Sequence, residues 1–165
     1  MTIKIKRLHP DAILPKYAHG PEEDAGMDLC AVEDIMLRPG VPTLVKTGLS
    51  IELPPYYEAQ VRPRGGLALK YGLQVVNSPG TVDPAYRGDI GVILLWSGFN
   101  SNMVDYYVER PDIAKGTDKF KIKKGDRIAQ LVVARYEPVE WSEVEDLSTT
   151  VRGAGAYGST GINLS

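Results

Sequence analysis

Turn-forming residues interrupt this chain so often that long helices have no room. Its 165 residues include 17 Gly and 12 Pro, and the apolar runs between them are short. Short runs rich in Val, Ile, Leu and Tyr, separated by such residues, are typical of β-strands. The pattern predicts an all-β chain. The predicted strands fall within TIKIKRL, VPTLVKTGLSIEL, YYEAQVRP, LQVV, DIGVILLWSG, MVDYYVER, FKIKK and RIAQLVVARY.

The spacing of these strands predicts one compact β-domain. Many short strands without intervening helices indicate two packed sheets, a sandwich or jelly roll. One short helix of one or two turns is predicted at GLALKYG, residues 66–72, which combines good helix formers with flanking glycines. After Val144 the apolar spacing lapses. We therefore expect a single β-domain over residues 1–147 and a flexible Gly-rich tail over residues 148–165.

Composition excludes several classes of protein. The net charge of −2 disfavours a nucleic-acid binder, which would need a basic face. Cys30 is the lone cysteine and only His9 and His19 accompany it, so neither a disulfide nor a Cys/His zinc site is expected, and Cys30 is expected to be buried. No segment resembles a signal peptide or a membrane span. These features predict a soluble, cytoplasmic protein without a membrane partner.

The Gly-rich tail RGAGAYGSTG has the features of an anion-binding segment. Glycines let backbone N–H groups approach a ligand closely, and Arg152, Ser159 and Thr160 are suitable donors to phosphate oxygens. The ring of Tyr157 is suited to lie over a base. The alternative interpretation is a disordered terminus.

A second candidate segment is RPRGGLALKYG. Arg62 and Arg64 stand beside two glycines at the predicted helix start, where free N–H groups and the helix dipole favour an anion. The alternative is a surface turn with two solvated arginines.

Two further segments offer polar groups for a ligand. In NSPGTVDPAYRG, Asn77, Gly80, Asp83 and Tyr86 lie at the mouth of a predicted hairpin, whose main-chain groups are able to bind a pyrimidine edge. The alternative for Asp83 is a turn-capping carboxylate. In GDRIAQL, Gln130 lies between apolar neighbours and is either a polar group at a subunit contact or a ligand-binding residue.

Five segments together resemble, in order and rough spacing, the five motifs of the trimeric dUTPases. They are AGMDL (25–29), PRGGLA (63–68), GTVDPAYRG (80–88), GDRIAQL (125–131) and RGAGAYGSTG (152–161). The resemblance implies hydrolysis of dUTP to dUMP and pyrophosphate with Mg²⁺. It also implies a jelly-roll-like homotrimer whose sites are each assembled from more than one subunit, with the tail acting as a lid.

The resemblance further implies a role for each site residue. Asp83 would be the base that activates water, Asp28 would act on Mg²⁺ through water, and Tyr86 would pack on the deoxyribose and reject ribonucleotides. Asp83, Gln130 and Arg64 form the expected catalytic set. The other expected substrate-binding residues are Gly65, Gly66, Asn77, Gly80, Thr81, Val82, Arg152, Ala156, Tyr157, Gly158, Ser159 and Thr160.

The chain departs from the family pattern in its second motif. Most members have Pro-Arg-Ser-Gly there, and this chain has Gly65 in place of the serine. By analogy with a lost oxyanion donor, the missing hydroxyl would cost about 3 kcal/mol, or ~10²-fold in turnover. Ala156, where glycine is common, is a smaller change. Residues 97–119 form a longer connection than expected, interpreted as a surface elaboration.

Two other functions compete with dUTP hydrolysis. Gly65 leaves open a catalytically impaired dUTP-binding or regulatory module on the same fold, although the intact Asp83 disfavours it. A dCTP deaminase needs an acid-base carboxylate near the pyrimidine C4, and IGVILL, residues 90–95, contains no Glu. We therefore expect a dUTP diphosphatase.

Overall fold

A computed structural model describes residues 1–98 and 119–156 of the chain. Within those ranges the protein is built from β-strands and one short helix, which confirms the predicted all-β class. The elements are β1 (Lys4–Arg7), β2 (Met27–Cys30), β3 (Ile35–Leu37), β4 (Thr43–Lys46), β5 (Leu49–Glu52), β6 (Tyr57–Arg62), α1 (Gly65–Tyr71), β7 (Leu73–Val75), β8 (Gly80–Val82), β9 (Gly91–Trp96), β10 (Phe120–Ile122) and β11 (Arg127–Arg135).

The strands pair antiparallel in a jelly-roll-like arrangement. One four-stranded sheet has the order β2-β11-β6-β8, and a three-stranded sheet has the order β4-β9-β7. Two strand pairs, β1-β5 and β3-β10, complete the fold. The four-stranded sheet matters most for function, because β2 and β8 form its two edges.

Each strand from β2 to β11 contributes at least one buried residue to a common core. Successive side chains of a strand point to opposite faces of the sheet, so every second one reaches the core. In β9, Val92, Leu94 and Trp96 are buried while the residues between them are half-buried. Phe120 of β10 packs with its ring centroid 5.7 Å from that of Trp96. The core therefore lies between the sheets and fixes the position of β8 and β11.

The short helix lies close to its predicted position. It spans Gly65–Tyr71, one residue earlier at each end than GLALKYG, and ends at Gly72, which has the left-handed φ of 62° that glycine tolerates best. It has no fully buried residue, and only Leu67 and Tyr71 pack against the core. In the described part of the chain, no helix is long and apolar enough to cross a membrane.

Strand prediction missed three elements and divided one differently. β2, β3 and β8 lie outside the predicted runs, and the run VPTLVKTGLSIEL forms two strands that separate at Thr47 and Gly48. Gly48 has a φ of 68°, which ends the extended backbone there. The predicted strand in MVDYYVER lies outside the described residues. Cys30 is buried, as expected.

An exposed segment follows β11, and we call residues 136–151 the C-terminal arm. It contains no strand or helix, and all its residues are exposed. Several of them are large and apolar, including Val139, Trp141 and Leu147, with Trp141 94% and Leu147 86% exposed. Single exposed apolar side chains are ordinary, but an indole and a leucine this exposed in one stretch are typical of an interaction segment.

Candidate active site

Asp28 forms the centre of a charged cluster at the β2 edge of the four-stranded sheet. Its Oδ1 lies 3.1 Å from Nε of Arg64, and its Oδ2 lies 3.0 Å from a terminal nitrogen of Arg127. Arg64 also donates a 2.9 Å hydrogen bond to the carbonyl of Arg127. Two guanidinium groups around one carboxylate leave a net positive charge, which favours a polyanionic ligand. We call Asp28, Arg64 and Arg127 the charged cluster.

Arg127 was not predicted, and the reason lies in the strand geometry. Residues three apart on a regular strand point to opposite faces, so Arg127 and Gln130 would be separated by the sheet. The pairing of β11 with β2 is irregular between Arg127 and Ala129. A bulge adds one residue and re-aims the side chain that precedes it. Arg127 therefore reaches Asp28, which pairs with Gln130.

Gln130 connects the sheet to the loop that carries Arg64. Its Nε2 donates a 2.9 Å hydrogen bond to the carbonyl of Pro63. The side chain occupies space beside Gly26, where an added Cβ would overlap the Gln130 side-chain oxygen and lie 3.2 Å from its Cβ. The glycine of AGMDL thus leaves room for the glutamine of GDRIAQL, a relation that the sequence did not reveal.

The start of α1 presents open space beside the charged cluster. Arg64 is the N-cap residue with extended dihedrals, and its carbonyl accepts hydrogen bonds from the N–H groups of Leu67 and Ala68. The N–H groups of Gly65 and Gly66 belong to the first turn, which lacks intrahelical acceptors. A Cβ at either glycine would meet nothing within 4 Å. The Cβ of a serine at position 65 therefore has room.

Arg62 does not join this cluster. Its guanidinium donates two hydrogen bonds to Oε1 of Gln60, at 2.9 and 2.6 Å, along the same face of β6. Of the two arginines that flank Pro63, the structure thus brings only Arg64 to Asp28.

A small cavity lies at the opposite edge of the sheet, beside β8. Its volume is about 150 Å³, a size that holds one six-membered ring. Asp83 and Tyr86 lie at the cavity with the β8 backbone, and Asn77 has its amide nitrogen about 3.0 Å from a Cβ position on Gly80. We call this the hairpin cavity. Its lining residues are Val61, Gly80, Thr81, Val82, Asp83, Tyr86, Asp89, Ile90 and Gly91.

The turn that carries Asp83 is stabilised by its own hydrogen bonds. The Tyr86 N–H donates to the Asp83 carbonyl at 3.1 Å, and the Arg87 guanidinium donates to the carbonyls of Pro84 and Tyr86. The buried Ser50 hydroxyl donates to the Arg87 carbonyl at 2.8 Å. The Asp83 carbonyl thus takes part in the turn, whereas its side chain is exposed at the cavity.

The charged cluster and the hairpin cavity are far apart in one chain. Gln130 of β11 pairs with Asp28 on one side and with Arg62 of β6 on the other, so Asp28 and Arg62 lie at the same height in the sheet. Asp83 follows Val82, which pairs with Ala59 of β6. Asp83 is therefore about 13 Å along the strands and about 14 Å across three strand spacings from Asp28. The two carboxylates do not belong to one contiguous site within a chain.

The described part of the Gly-rich tail forms a local turn. Arg152 is exposed, and its Nε donates a 2.9 Å hydrogen bond to the carbonyl of Gly155, within its own turn. Ala156 is exposed. Tyr157, Gly158, Ser159 and Thr160 lie outside the described residues.

Comparison with known proteins gives the class to which this fold and these two regions belong. The family model named dUTPase matches residues 12–110 and 113–161. The chain therefore belongs to the dUTPase family. It is 54% identical over 161 residues to the deoxyuridine 5'-triphosphate nucleotidohydrolase of Solibacter usitatus, covering 98% of this chain and 97% of the relative. The enzyme of the same name from Gloeothece citriformis is 49% identical, with 98% of each chain covered.

Solved structures give the same fold. The Staphylococcus bacteriophage 80alpha dUTPase with dUPNHPP matches with a TM-score of 0.80 and 25% identity, covering 98% of this chain and 99% of the other. A dUTPase from phage phi11 of S. aureus, described with a structural Mg(II) ion, matches with a TM-score of 0.72 and 22% identity over 88% of this chain and 98% of the other.

Proposed function

We propose that the protein is a dUTP diphosphatase, which hydrolyses dUTP to dUMP and pyrophosphate. The observation that supports this most directly is the hairpin cavity, which has the size of a single pyrimidine ring and an exposed carboxylate, Asp83, among its lining residues. Family membership supports the same substrate, because the relatives carry the name deoxyuridine 5'-triphosphate nucleotidohydrolase.

The base is recognised by backbone groups of β8. This strand is at the edge of its sheet and pairs only with β6 among the described strands, so the N–H and C=O groups along its outer edge are available to a ligand. Uracil binds to the main chain of Gly80, Thr81 and Val82 with the amide of Asn77.

The reaction is a displacement at the α-phosphorus. The Asp83 carboxylate orients a water and accepts its proton as the water oxygen bonds to phosphorus, and the bond from phosphorus to the bridging oxygen breaks to release pyrophosphate. Arg64 and Arg127 stabilise the charge that develops on the leaving pyrophosphate. Gln130 lies near the α-phosphate and holds the Arg64 loop through Pro63.

The charged cluster is suited to hold Mg²⁺ through water and not directly. Asp28 uses one acceptor position on each oxygen for an arginine, and a carboxylate offers about four, so positions remain for metal-bound waters. In the described ranges, no group of three Asp, Glu, His or Cys residues is suited to direct metal binding. Mg²⁺ supplies charge neutralisation on the phosphates when bound. The two arginines disfavour a free cation, so nucleotide and metal bind together.

Sites shared between subunits of a homotrimer explain the separation of the two regions. A base must be within hydrogen-bond reach of its water, so Asp83 and Asp28 of one chain, about 19 Å apart by strand spacing, do not act on the same triphosphate. The charged cluster of one subunit therefore completes the hairpin cavity of another. The exposed apolar arm, including Trp141 and Leu147, supports such an assembly because a neighbouring subunit would cover it.

The tail over residues 148–165 is the lid of the site. In this proposal Arg152, Ser159 and Thr160 bind the γ-phosphate, and Tyr157 stacks on the uracil. Ala156 and Gly158 belong to the same lid. Its closure excludes water other than the attacking molecule. The cytoplasm is the expected location of the enzyme.

Gly65 sets the rate and not the identity of the reaction. Its N–H lies in the first turn of α1, beside Arg64, and replaces part of the missing hydroxyl as a donor to the bridging oxygen. The dUTP-binding module without catalysis remains the second candidate because of this residue alone.

Pyrophosphate release from dUTP, dCTP, dTTP and UTP with Mg²⁺ tests the proposal. The expected result is turnover of dUTP with little of the other three. Tight dUTP binding without turnover would favour the binding module, and neither binding nor turnover would contradict both functions. Size-exclusion chromatography with light scattering tests the trimer, for which three times the chain mass of 18.1 kDa is expected.

A further inference from the structure

The ring of Tyr86 lies directly against the backbone of Gly88. A Cβ added to Gly88 would overlap the Tyr86 hydroxyl and ring, and would lie 2.9 Å from Cε2. Any other residue at position 88 would therefore have to displace the ring or the backbone. The φ of Gly88 is not in the left-handed region. The absence of a side chain, and not backbone flexibility, is thus what the contact requires.

The hydroxyl of Tyr86 is held by the residue that follows Gly88. It donates a 2.9 Å hydrogen bond to the carbonyl of Asp89. The Asp89 carboxylate in turn accepts hydrogen bonds from the N–H groups of Thr47 and Gly48, at 3.3 and 3.1 Å. The next N–H group, that of Ile90, also donates to the Leu49 carbonyl at 2.8 Å. The Asp89 carbonyl, which accepts from Tyr86, is therefore anchored to the turn between β4 and β5.

Two consequences follow for the ring. Its rotamer is fixed by a contact on one side and a hydrogen bond at its tip, although the residue is 46% exposed. Its hydroxyl donates its only proton to the Asp89 carbonyl, and the face of the ring beside the hairpin cavity is apolar. A ligand hydroxyl pressed against that surface would lose water without gaining a partner.

We propose that Gly88 and the Asp89 carbonyl are positioning elements for Tyr86 and thereby set the discrimination between deoxyribonucleotides and ribonucleotides. This inference rests on the proposed function, because it assumes that a nucleotide with its base in the hairpin cavity places its sugar beside the ring. The selectivity then depends on a fixed position of the Tyr86 ring, which the absence of a side chain at Gly88 makes possible.

The decisive measurement is the ratio of kcat/KM for dUTP to that for UTP. Gly88→Ala is expected to lower this ratio at least about ten-fold, because a displaced ring leaves space for the 2′-hydroxyl. A general loss of stability or of catalysis would lower both values together and leave the ratio unchanged. Ala85→Ser is the matched control, since it adds one heavy atom to an exposed residue of the same turn and is expected to keep the ratio.

The Tyr86→Ala background tests whether the effect passes through the ring. Adding Gly88→Ala to Tyr86→Ala is expected to change the ratio less than about two-fold, because no ring remains to be displaced. An equal loss of selectivity in both backgrounds would overturn the inference.

Tyr86→Phe keeps the test decisive if Gly88→Ala does not fold. It removes the hydrogen bond to the Asp89 carbonyl while the ring remains, and a reduction of the ratio by about three-fold or more is expected. An unchanged ratio would overturn the inference. If the unaltered protein does not hydrolyse dUTP, the proposed function fails; if it does so selectively and the variants keep its ratio, only this inference fails.

Discussion

In the proposed function, the two edges of the four-stranded sheet recognise a ligand by different means. At the β2 edge, long charged side chains converge on Asp28, with both arginine contacts near 3 Å. At the β8 edge, recognition depends on backbone groups and on glycines that leave space, as at Gly80 and Gly88. The first region suits the charge of a triphosphate, and the second suits the shape of a nucleoside.

This difference indicates how substitutions will act. Charge acts over several ångströms and tolerates small displacements, whereas a cavity of about 150 Å³ changes with a single methyl group. Substitutions in the charged cluster should therefore affect binding and turnover of any nucleoside triphosphate, and substitutions at the hairpin cavity other than at the base, Asp83, should affect the choice among them.

The largest expected effect concerns the separation of the two regions. Asp83→Asn removes the base, and its turnover is expected to fall about 10³-fold. Asp28→Asn impairs the other region. When the two inactive variants are co-expressed as mixed trimers, random assembly should restore about a quarter of the original activity, because some sites combine one intact region from each subunit.

A matched control keeps both defects in one region. Mixed trimers of Asp83→Asn and Tyr86→Ala, both at the hairpin cavity, should show no activity beyond the average of the two separate homotrimers. Absence of recovery also in the first mixture, with mixed trimers verified by mass spectrometry, would mean that each site lies within a single chain.

The next effect concerns Gly65, at the edge of the charged cluster. Gly65→Ser supplies the hydroxyl that is missing beside the leaving group, and kcat is expected to rise by up to ~10²-fold with little change in dUTP affinity. The open space at this position removes steric objections. Gly66→Ser, where the space is equally open, is the control and should give no such rise. Single-turnover measurements distinguish a faster chemical step from faster product release, and an unchanged chemical step would contradict the prediction.

Arg127 should have a smaller effect, and one that depends on charge. Arg127→Leu removes a charge-assisted contact to the cluster and a donor to the phosphates, and kcat/KM is expected to fall about 30-fold. Arg135→Leu is the control, because that arginine lies on the same strand and is paired only loosely with Glu137, at 3.7 Å. Equal losses in the two variants, measured at the same salt concentration, would show a nonspecific effect of net charge.

The sequence predicted the all-β class because β1 alternates between charged and apolar residues and β9 is a short apolar run bounded by turn residues. It did not predict β2, β3 and β8, which have only four, three and three residues and lie outside the longer apolar runs. The helix at Gly65–Tyr71 was predicted to within one residue because glycines mark both its ends.

The candidate site was predicted less evenly. Arg64 and Asp83 were identified as candidates from their own segments and Asp28 through the family resemblance, but their division between two sheet edges required the strand order and register. Arg127 was missed because a bulge changes the alternation of β11. Spacing in sequence also gives no information about which side chain occupies the space beside a glycine, as Gly26 shows.

The smallest expected effect comes from Gly26. The charged cluster depends on the space beside this glycine as well as on charge. Gly26→Ala would push Gln130 from its place, break the hydrogen bond to the Pro63 carbonyl and loosen the loop of Arg64. We expect kcat/KM to fall about ten-fold, and the free energy of unfolding to decrease by about 1–3 kcal/mol through overpacking. In a Gln130→Ala background the same substitution should cost little of either, because the displaced side chain is absent. Additive losses, measured by kinetics and thermal unfolding of the four proteins in the cycle, would mean that Gly26 acts independently of Gln130.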